Sequence, residues 1–318
     1  NFDSSFSGDD LLRTSLRGSN FSDLNPFGRF GAAPLESGWD GPTFGLIGAD
    51  WGTHINDNII AIDRVFYQFP IGEDFTGTYG AMVRKDDILG VWPSSYPSDS
   101  ILDVMTYAGA NAAYSNTLGA GLGLSYLSDN GHWSATSLII SENAADAITG
   151  GFGTNKLPFK SDDITAQLAY LGERWMLAGV FTHANGGLDL RTDFSKIDED
   201  NYEKAFYQHN AWGLSGSYKI TEGREDDTTL LPSSINAGIG YSYPVYKDDS
   251  QNIEDTRTYS LSLIWNDAFS EGNDLGIAFG SAEDHRFDSG YSYPTAFEIY
   301  YSMALSDHVT LTPAFFQV

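Results

Sequence analysis

An apolar–polar alternation of period two recurs from one end of this chain to the other, and it restricts the fold more than any other feature. In "LLRTSLR" it sets Leu12, Thr14 and Leu16 against Arg13, Ser15 and Arg17. In "IIAIDRVFYQF" it sets Val65, Tyr67 and Phe69 against Arg64, Phe66 and Gln68. "FTGTYGAMVRK" places Phe75, Tyr79, Ala81 and Val83 opposite Thr76, Thr78, Met82 and Arg84. "LGAGLGLSYLS" places Leu118, Ala120, Leu122, Leu124 and Tyr126 opposite Gly119, Gly121, Gly123 and Ser125. "ITAQLAY", "WGLSGSYKI", "INAGIGYSY", "YSLSLIW", "LGIAF" and "AFEIYYSMAL" repeat the pattern. A period of two is that of a strand with one apolar face. Roughly fourteen such segments occur, near the ~10-residue length of a tilted membrane-spanning strand. They use so much of the chain that little is left to form a separate core.

Which face looks outward is the next question, and composition narrows it. The 318 residues include 34 glycines and no cysteine, with a formal net charge of -26. High glycine and 14% aromatic content suit many strands joined by tight turns. The acidity argues against nucleic acid as a partner, because neutralising phosphates takes a basic face. No stretch approaches the ~20 apolar residues of a membrane helix, which leaves a strand-built membrane protein open. No secretory leader pattern is visible at the start of the chain.

Short turns ("SGDD", "IGED", "SDNGH", "GER", "FSEGND", "LSDH") tend to alternate with long polar loops near 86–113, 144–161, 186–205, 245–256 and 283–294. Short turns at one rim and long loops at the other fit an outer-membrane barrel. The stretch 222–233 breaks this rule, and the parity of 43–70 is ambiguous. Many apolar faces end in an aromatic residue near a turn, among them Phe75, Tyr126, Trp175, Tyr218, Tyr241 and Trp265, as interfacial girdles do. Arginines share the other face with small polar residues, as a water-filled lumen allows. The expected fold is all-β: a transmembrane antiparallel β-barrel spanning 1–318, with the apolar side facing lipid. A secreted soluble β-protein that binds ligands, with the same alternation turned inward, is the alternative.

Three stretches carry a resemblance to a known family: "DSSFSGDDLLRTSLRGSNF" (3–21), "IDRVFYQFPIGE" (62–73) and "LSDHVTLTPAFF" (305–316). They resemble the cyanobacterial, iron-uptake-labelled branch of the OprB-type carbohydrate-selective porins. The resemblance implies a homotrimeric barrel of about sixteen strands, within roughly fourteen to eighteen, in the outer membrane of a cyanobacterium. It implies contact with outer-membrane lipid and lipopolysaccharide, and passage of ions, small hydrophilic solutes and sugars. It further implies that the chain lacks the first strand or two, the last strand, and the surface-layer-homology domain that would reach peptidoglycan. A structural barrel that tethers the membrane to peptidoglycan and conducts little is the second function considered.

The expected site is a constriction. The segment 86–115 carries Asp86, Asp87, Asp99 and Asp103, no basic residue, and much apolar content for a loop in water. Folded back into the lumen, it would oppose Arg13, Arg17, Arg64 and Arg84, with Lys219 on the same polar face. Acid on one wall and guanidinium on the other would set a transverse field selecting polar solutes. The simpler alternative pairs each arginine with a local carboxylate such as Asp63. Phe66, Gln68, Trp92 and Tyr300 are the candidate sugar platforms, and packing beneath the folded loop is the more ordinary role for such rings. The acidic loops read first as solvated surface, and secondly as a negative mouth that recruits cations. Six scattered histidines form no HExxH pair or triad signature, so the chain reads as no enzyme, without cofactor or metal.

Overall fold

In a computed structural model of the chain, the described residues are 1–19, 59–97, 103–114, 117–141, 162–185, 208–221, 231–245, 253–281, 285–287, 290–292, 295–306 and 308–317. The long loops expected near 144–161 and 186–205, most of 245–256, half of 283–294, and the irregular 222–230 lie outside them.

Within the described residues the chain is all-β, a single antiparallel sheet of seventeen strand segments. In chain order these begin with β1 (Phe2–Ser4), β2 (Leu11–Ser19), β3 (Ile59–Ile71), β4 (Phe75–Arg84), β5 (Leu118–Leu127) and β6 (Trp133–Ser141). There follow β7 (Asp162–Leu171), β8 (Trp175–Asn185), β9 (Gln208–Lys219), β10 (Ser234–Pro244), β11 (Ile253–Trp265) and β12 (Asp274–Ser281). The last are β13 (His285–Phe287), β14 (Gly290–Ser292), β15 (Thr295–Ser306), β16 (Val309–Leu311) and β17 (Ala314–Gln317). From β1 to β12 each strand pairs with its sequence neighbour. The hairpin β13–β14 continues the edge of β11, while β12 pairs directly with β15. The expected short turns "IGED", "SDNGH" and "GER" do connect β3 to β4, β5 to β6 and β7 to β8.

Among the described residues no pairing joins β1 to β16 or β17, so the sheet is open there and the expected closed barrel is not formed. The edge strands are three or four residues long, too short to make a full seam between them.

The polarity of this sheet is the reverse of that in a soluble protein. On one face the large apolar side chains are solvent-exposed, with Ile239 at 59%, Leu122 at 56% and Trp212 at 51%. On the other face Thr78, Thr136, Thr165, Gln167, Thr182, Ser215, Asn236, Ser262 and Glu298 are buried. Soluble monomers rarely expose a continuous apolar surface of this extent. Its edges are aromatic. Toward the short turns, Trp133 and Trp175 each lie 4.9 Å from Tyr170, and Phe75 lies 5.0 Å from Tyr126. Toward the other ends, Phe181 meets Trp212 at 4.4 Å and Tyr241 meets Tyr243 at 5.7 Å. On β8, Trp175 and Phe181 share a face with Leu177 between them, about 20 Å apart at ~3.3 Å per residue.

What buries the polar face is the connection between β4 and β5. It contains α1 (Lys85–Ile88), a 3-10 turn (Asp103–Tyr107) and α2 (Asn111–Tyr114). This in-folded segment reaches β3, β6, β7, β8, β10, β11 and β15 by hydrogen bonds. One connection thus serves the same face of strands from β3 to β15. Its cores are small and separate. Phe66, Val83, Ile88, Leu138 and Ile140 form one, Tyr107, Tyr114, Val180 and Ala211 belong to a second, and Tyr96, Met105, Ile264 and Tyr300 to a third.

Of the sheet's register shifts, two bulges beside the in-folded segment correct the simple alternation. On β3, Ser15 opposes Arg64 while Leu16 opposes Ile62, which leaves Asp63 as the extra residue. On β4, Gly80 opposes Gly121 while Val83 opposes Gly119, so Ala81 and Met82 share one partner position. A single extra residue exchanges the faces beyond it. Val83, expected on the apolar outer face, is therefore fully buried beneath Ile88, and Lys85 follows it to the inner side.

Candidate functional site: a charged ladder and the segment folded onto it

The charged residues of the polar face gather on β1–β4 and α1. Arg13 grips Asp3 bidentately, at 2.9 and 2.8 Å, and its guanidinium lies 5.9 Å from the centre of the Phe66 ring. Facing pairs on neighbouring strands set this up, with Asp3 opposite Arg13 and Arg13 opposite Phe66. Arg64 is almost fully buried. Its Nε donates to Asp87 at 2.8 Å, and its Nη1 donates to the Asp63 carbonyl at 2.9 Å and lies 3.1 Å from the Asp63 carboxylate. The bulge at Asp63 brings that adjacent carboxylate to the same side. Arg84 holds Asp86 bidentately, at 3.1 and 2.6 Å.

Asp87 is the hinge between wall and segment. Its carboxylate accepts the Arg84 backbone N–H at 2.9 Å and so caps the single turn of α1, while its carbonyl accepts Gln68 Nε2 at 2.7 Å. Burial, and then the neighbouring Asp86 charge, hold the Asp87 carboxyl above the usual carboxylate range. The Arg84 N–H and the guanidinium groups of Arg64 and Arg84 oppose that shift.

Beyond α1 the segment is organised by its own aromatics. Trp92 donates to Thr106 Oγ1 at 2.8 Å and lies 5.8 Å from the rings of both Tyr107 and Tyr114. Tyr96 donates its hydroxyl to the fully buried Glu298 on β15 at 2.7 Å. Burial first, and then the Glu298 charge, push the Tyr96 hydroxyl far above its ordinary pKa, so it stays a donor. Tyr114 accepts from Gln167 on β7 at 2.9 Å, and burial pushes it up to about 12.

A row of glycines seats the segment's backbone. A methyl group at Gly238 would stand 2.1 Å from the Ala108 carbonyl oxygen, and one at Gly240 would stand 2.5 Å from that of Gly109. At Gly213 it would meet Ala110 at 2.4 Å, and at Gly123 it would meet Ile88 at 2.3 Å. Ala108 (φ 50°) and Gly109 (φ 74°) are left-handed at this seat, turning the chain back toward the wall.

The sequence-level expectations divide on this geometry. Arg13, Arg64, Arg84, Asp86 and Asp87 come together, and every one of them has an ion-pair partner within one ladder. Asp86 and Asp87 do not face the arginines across an open gap, since they bond to Arg84 and Arg64 directly. Arg17 stands on β2 opposite Ala61 and Asp103 begins the 3-10 turn, but their side chains, and all of Asp99, lie outside the described residues. Lys219 ends β9, exposed, at the rim of the short turns. Phe66 and Tyr300 are packed beneath the segment, in two of its cores. Sequence reasoning missed Lys85, Tyr96, Asp163 and Glu298. Glu298 had a legible signal, a lone acid sharing the inner face of β15 with Tyr300. Lys85 had none, because the β4 bulge inverts the parity that would have placed it.

The ladder can hold solutes by charge and hydrogen bonding at its half-exposed Arg13, Asp3, Arg84 and Asp86, while its buried members fix the wall. Neither a search of known protein families nor a search of curated proteins finds a match to this chain.

Proposed function

We propose that the chain is an outer-membrane porin of the OprB type, a closed β-barrel through which ions and small hydrophilic solutes diffuse passively. One observation carries this reading: the sheet is apolar on its exposed face and polar on its buried face. Lipid would cover the exposed band, whose aromatic edges suit the two headgroup regions. In lipid an open sheet edge is untenable, so the β1–β2 edge is expected to meet the β15–β17 edge. The resemblance in 3–21, 62–73 and 305–316 supports the same assignment, with a trimer as its assembly. The charged ladder is then the aperture lining, and its mixed arginine and carboxylate pairs favour hydrated solutes over apolar ones.

Single-channel recording of the purified full-length protein in a planar bilayer, with a reversal potential under a salt gradient, tests this. Stepwise ohmic conductance is expected. A protein that inserts and stays silent would sink the porin reading. That outcome would favour a structural barrel with little conductance, a reading to which the dense packing of 85–97 and 105–114 on the polar face lends weight. A refolded monomer that stays soluble without detergent would remove the membrane altogether. Closure has its own test: the chain has no cysteine, so one placed at each edge strand should cross-link only if the edges meet.

A further inference from the structure

We propose that Lys85 is the positioning residue of the in-folded segment, its buried ammonium clasping both ends of that segment to β7 and thereby fixing the aperture. This rests on the porin reading for its consequence, though not for its geometry. Lys85 opens the segment and is completely buried. Its Nζ lies 2.9 Å from the Asp163 carboxylate on β7 and donates at 3.1 Å to the carbonyl of Ala113. Ala113 belongs to α2, at the segment's far end. The same Asp163 oxygen accepts the hydroxyl of Thr117, the residue immediately before β5. Thr182 on β8 donates to the Ala113 carbonyl as well, at 2.7 Å.

Four points of the chain therefore converge on one charge: the segment's first residue, its last helical turn, the residue that re-enters the sheet, and the wall. An ammonium suits this role because it offers several donors from a single point and carries the charge that Asp163 needs when buried. Asp163 completes the clasp, its carboxylate meeting both Lys85 and Thr117. Other anchors each hold one place: Arg64 and Gln68 hold Asp87 near the start, Asn236 and Glu298 hold Ser95 and Tyr96 in the middle, and Gln167 holds Tyr114 near the end.

A cysteine at Ala112, nearly buried in α2, reports whether the segment is seated, since the chain has no other thiol. With that probe in place, Lys85→Met should raise the rate of maleimide labelling by at least about tenfold, through local opening. The folded sheet should persist, as read by heat-modifiable electrophoretic mobility. Removing one partner leaves Asp163 buried and uncompensated, so Lys85→Met is paired with the double variant Lys85→Met/Asp163→Leu. The double variant should recover thermal stability yet still label fast, because packing replaces the charge pair but not the bridge to Ala113 and Thr117. Thr117→Val, which leaves the ion pair in place, should label at an intermediate rate. In bilayers both Lys85 variants should show larger and noisier unitary conductance. Labelling as slow as wild type in the folded double variant overturns the clasp, and fast labelling with unchanged conductance overturns its control of the aperture. If the wild-type barrel inserts but never conducts, the porin reading fails, and labelling alone decides whether Lys85 is the clasp.

Discussion

Asp87 shows how one carboxylate serves both the wall and the segment, and at what pH it stops doing so. Its folded pKa is raised by burial and by Asp86, so in the folded state it retains a proton that the unfolded chain has already released. The sign follows: stability is higher below the ordinary carboxylate value near 4 and falls as pH rises toward the raised value. Asp87→Asn should flatten that part of the profile, read as the thermal midpoint against pH. In the same window the wild-type reversal potential should move toward anions as pH falls. Arg13, Arg64 and Arg84 would then face one fewer negative charge beside Asp63 and Asp86. A wild-type profile identical to that of the Asn variant would count against this. Asp10 behaves in the opposite sense. The Ser7 hydroxyl and N–H, with the Ser5 hydroxyl and the Phe6 N–H, hold it well below the usual range in the β1–β2 turn. Its contribution is present above pH ~4 and is lost as pH falls below that. Exchange protection of the Phe6 and Ser7 amides should therefore drop in acid, and should be low at every pH in Asp10→Asn.

Among the elements, the glycine seat turns a compositional feature into a mechanical one. Gly238→Val places a branched side chain where the Ala108 carbonyl lies, and overpacking of this kind costs about 1–3 kcal/mol. The expected outcome is a folded sheet of lower melting temperature whose segment is cut by protease within 89–110. Equal resistance in wild type and variant would mean that the wall can yield instead. Tyr96→Phe removes a hydroxyl from the buried Glu298, at an expected cost of about 1–3 kcal/mol in chemical denaturation. These elements also mark what the sequence could and could not disclose. The strands β5, β7, β9 and β10 were legible because each has one consistently small or polar face. On β6, Leu138, Ile139 and Ile140 blur the alternation, since Leu138 and Ile140 face inward to meet Ile88. Inward folding of 86–115 was legible from its apolar content. The Arg64–Asp63 pair was legible as the local alternative, whereas Arg64–Asp87 and Lys85–Asp163 were not, because they depend on the bulges and on residues far apart in the chain.

For the molecule as a whole, the inverted polarity makes a prediction that a soluble fold does not share. Ile239→Arg puts a charge in the middle of the exposed apolar face. In a lipid bilayer it should cost about 2–4 kcal/mol of folding stability. On a soluble protein the same exposed change would be nearly neutral and would improve solubility. Refolding into liposomes against urea separates the two. A null effect there would remove the lipid-facing assignment of this surface.

The extra residue at Ala81–Met82 acts as a reading frame for everything that follows it on β4. Shortening the strand there by one residue would leave its composition almost unchanged and its hydrophobicity profile intact. It would also straighten the strand with Val83 and Lys85 still turned inward, since one outward residue would then separate Gly80 from Val83 as one separates Gly121 from Gly119. In the descent of such sheets, a one-codon deletion at this spot would be gentler than one in a strand without a bulge such as β9, where every residue beyond the deletion changes face.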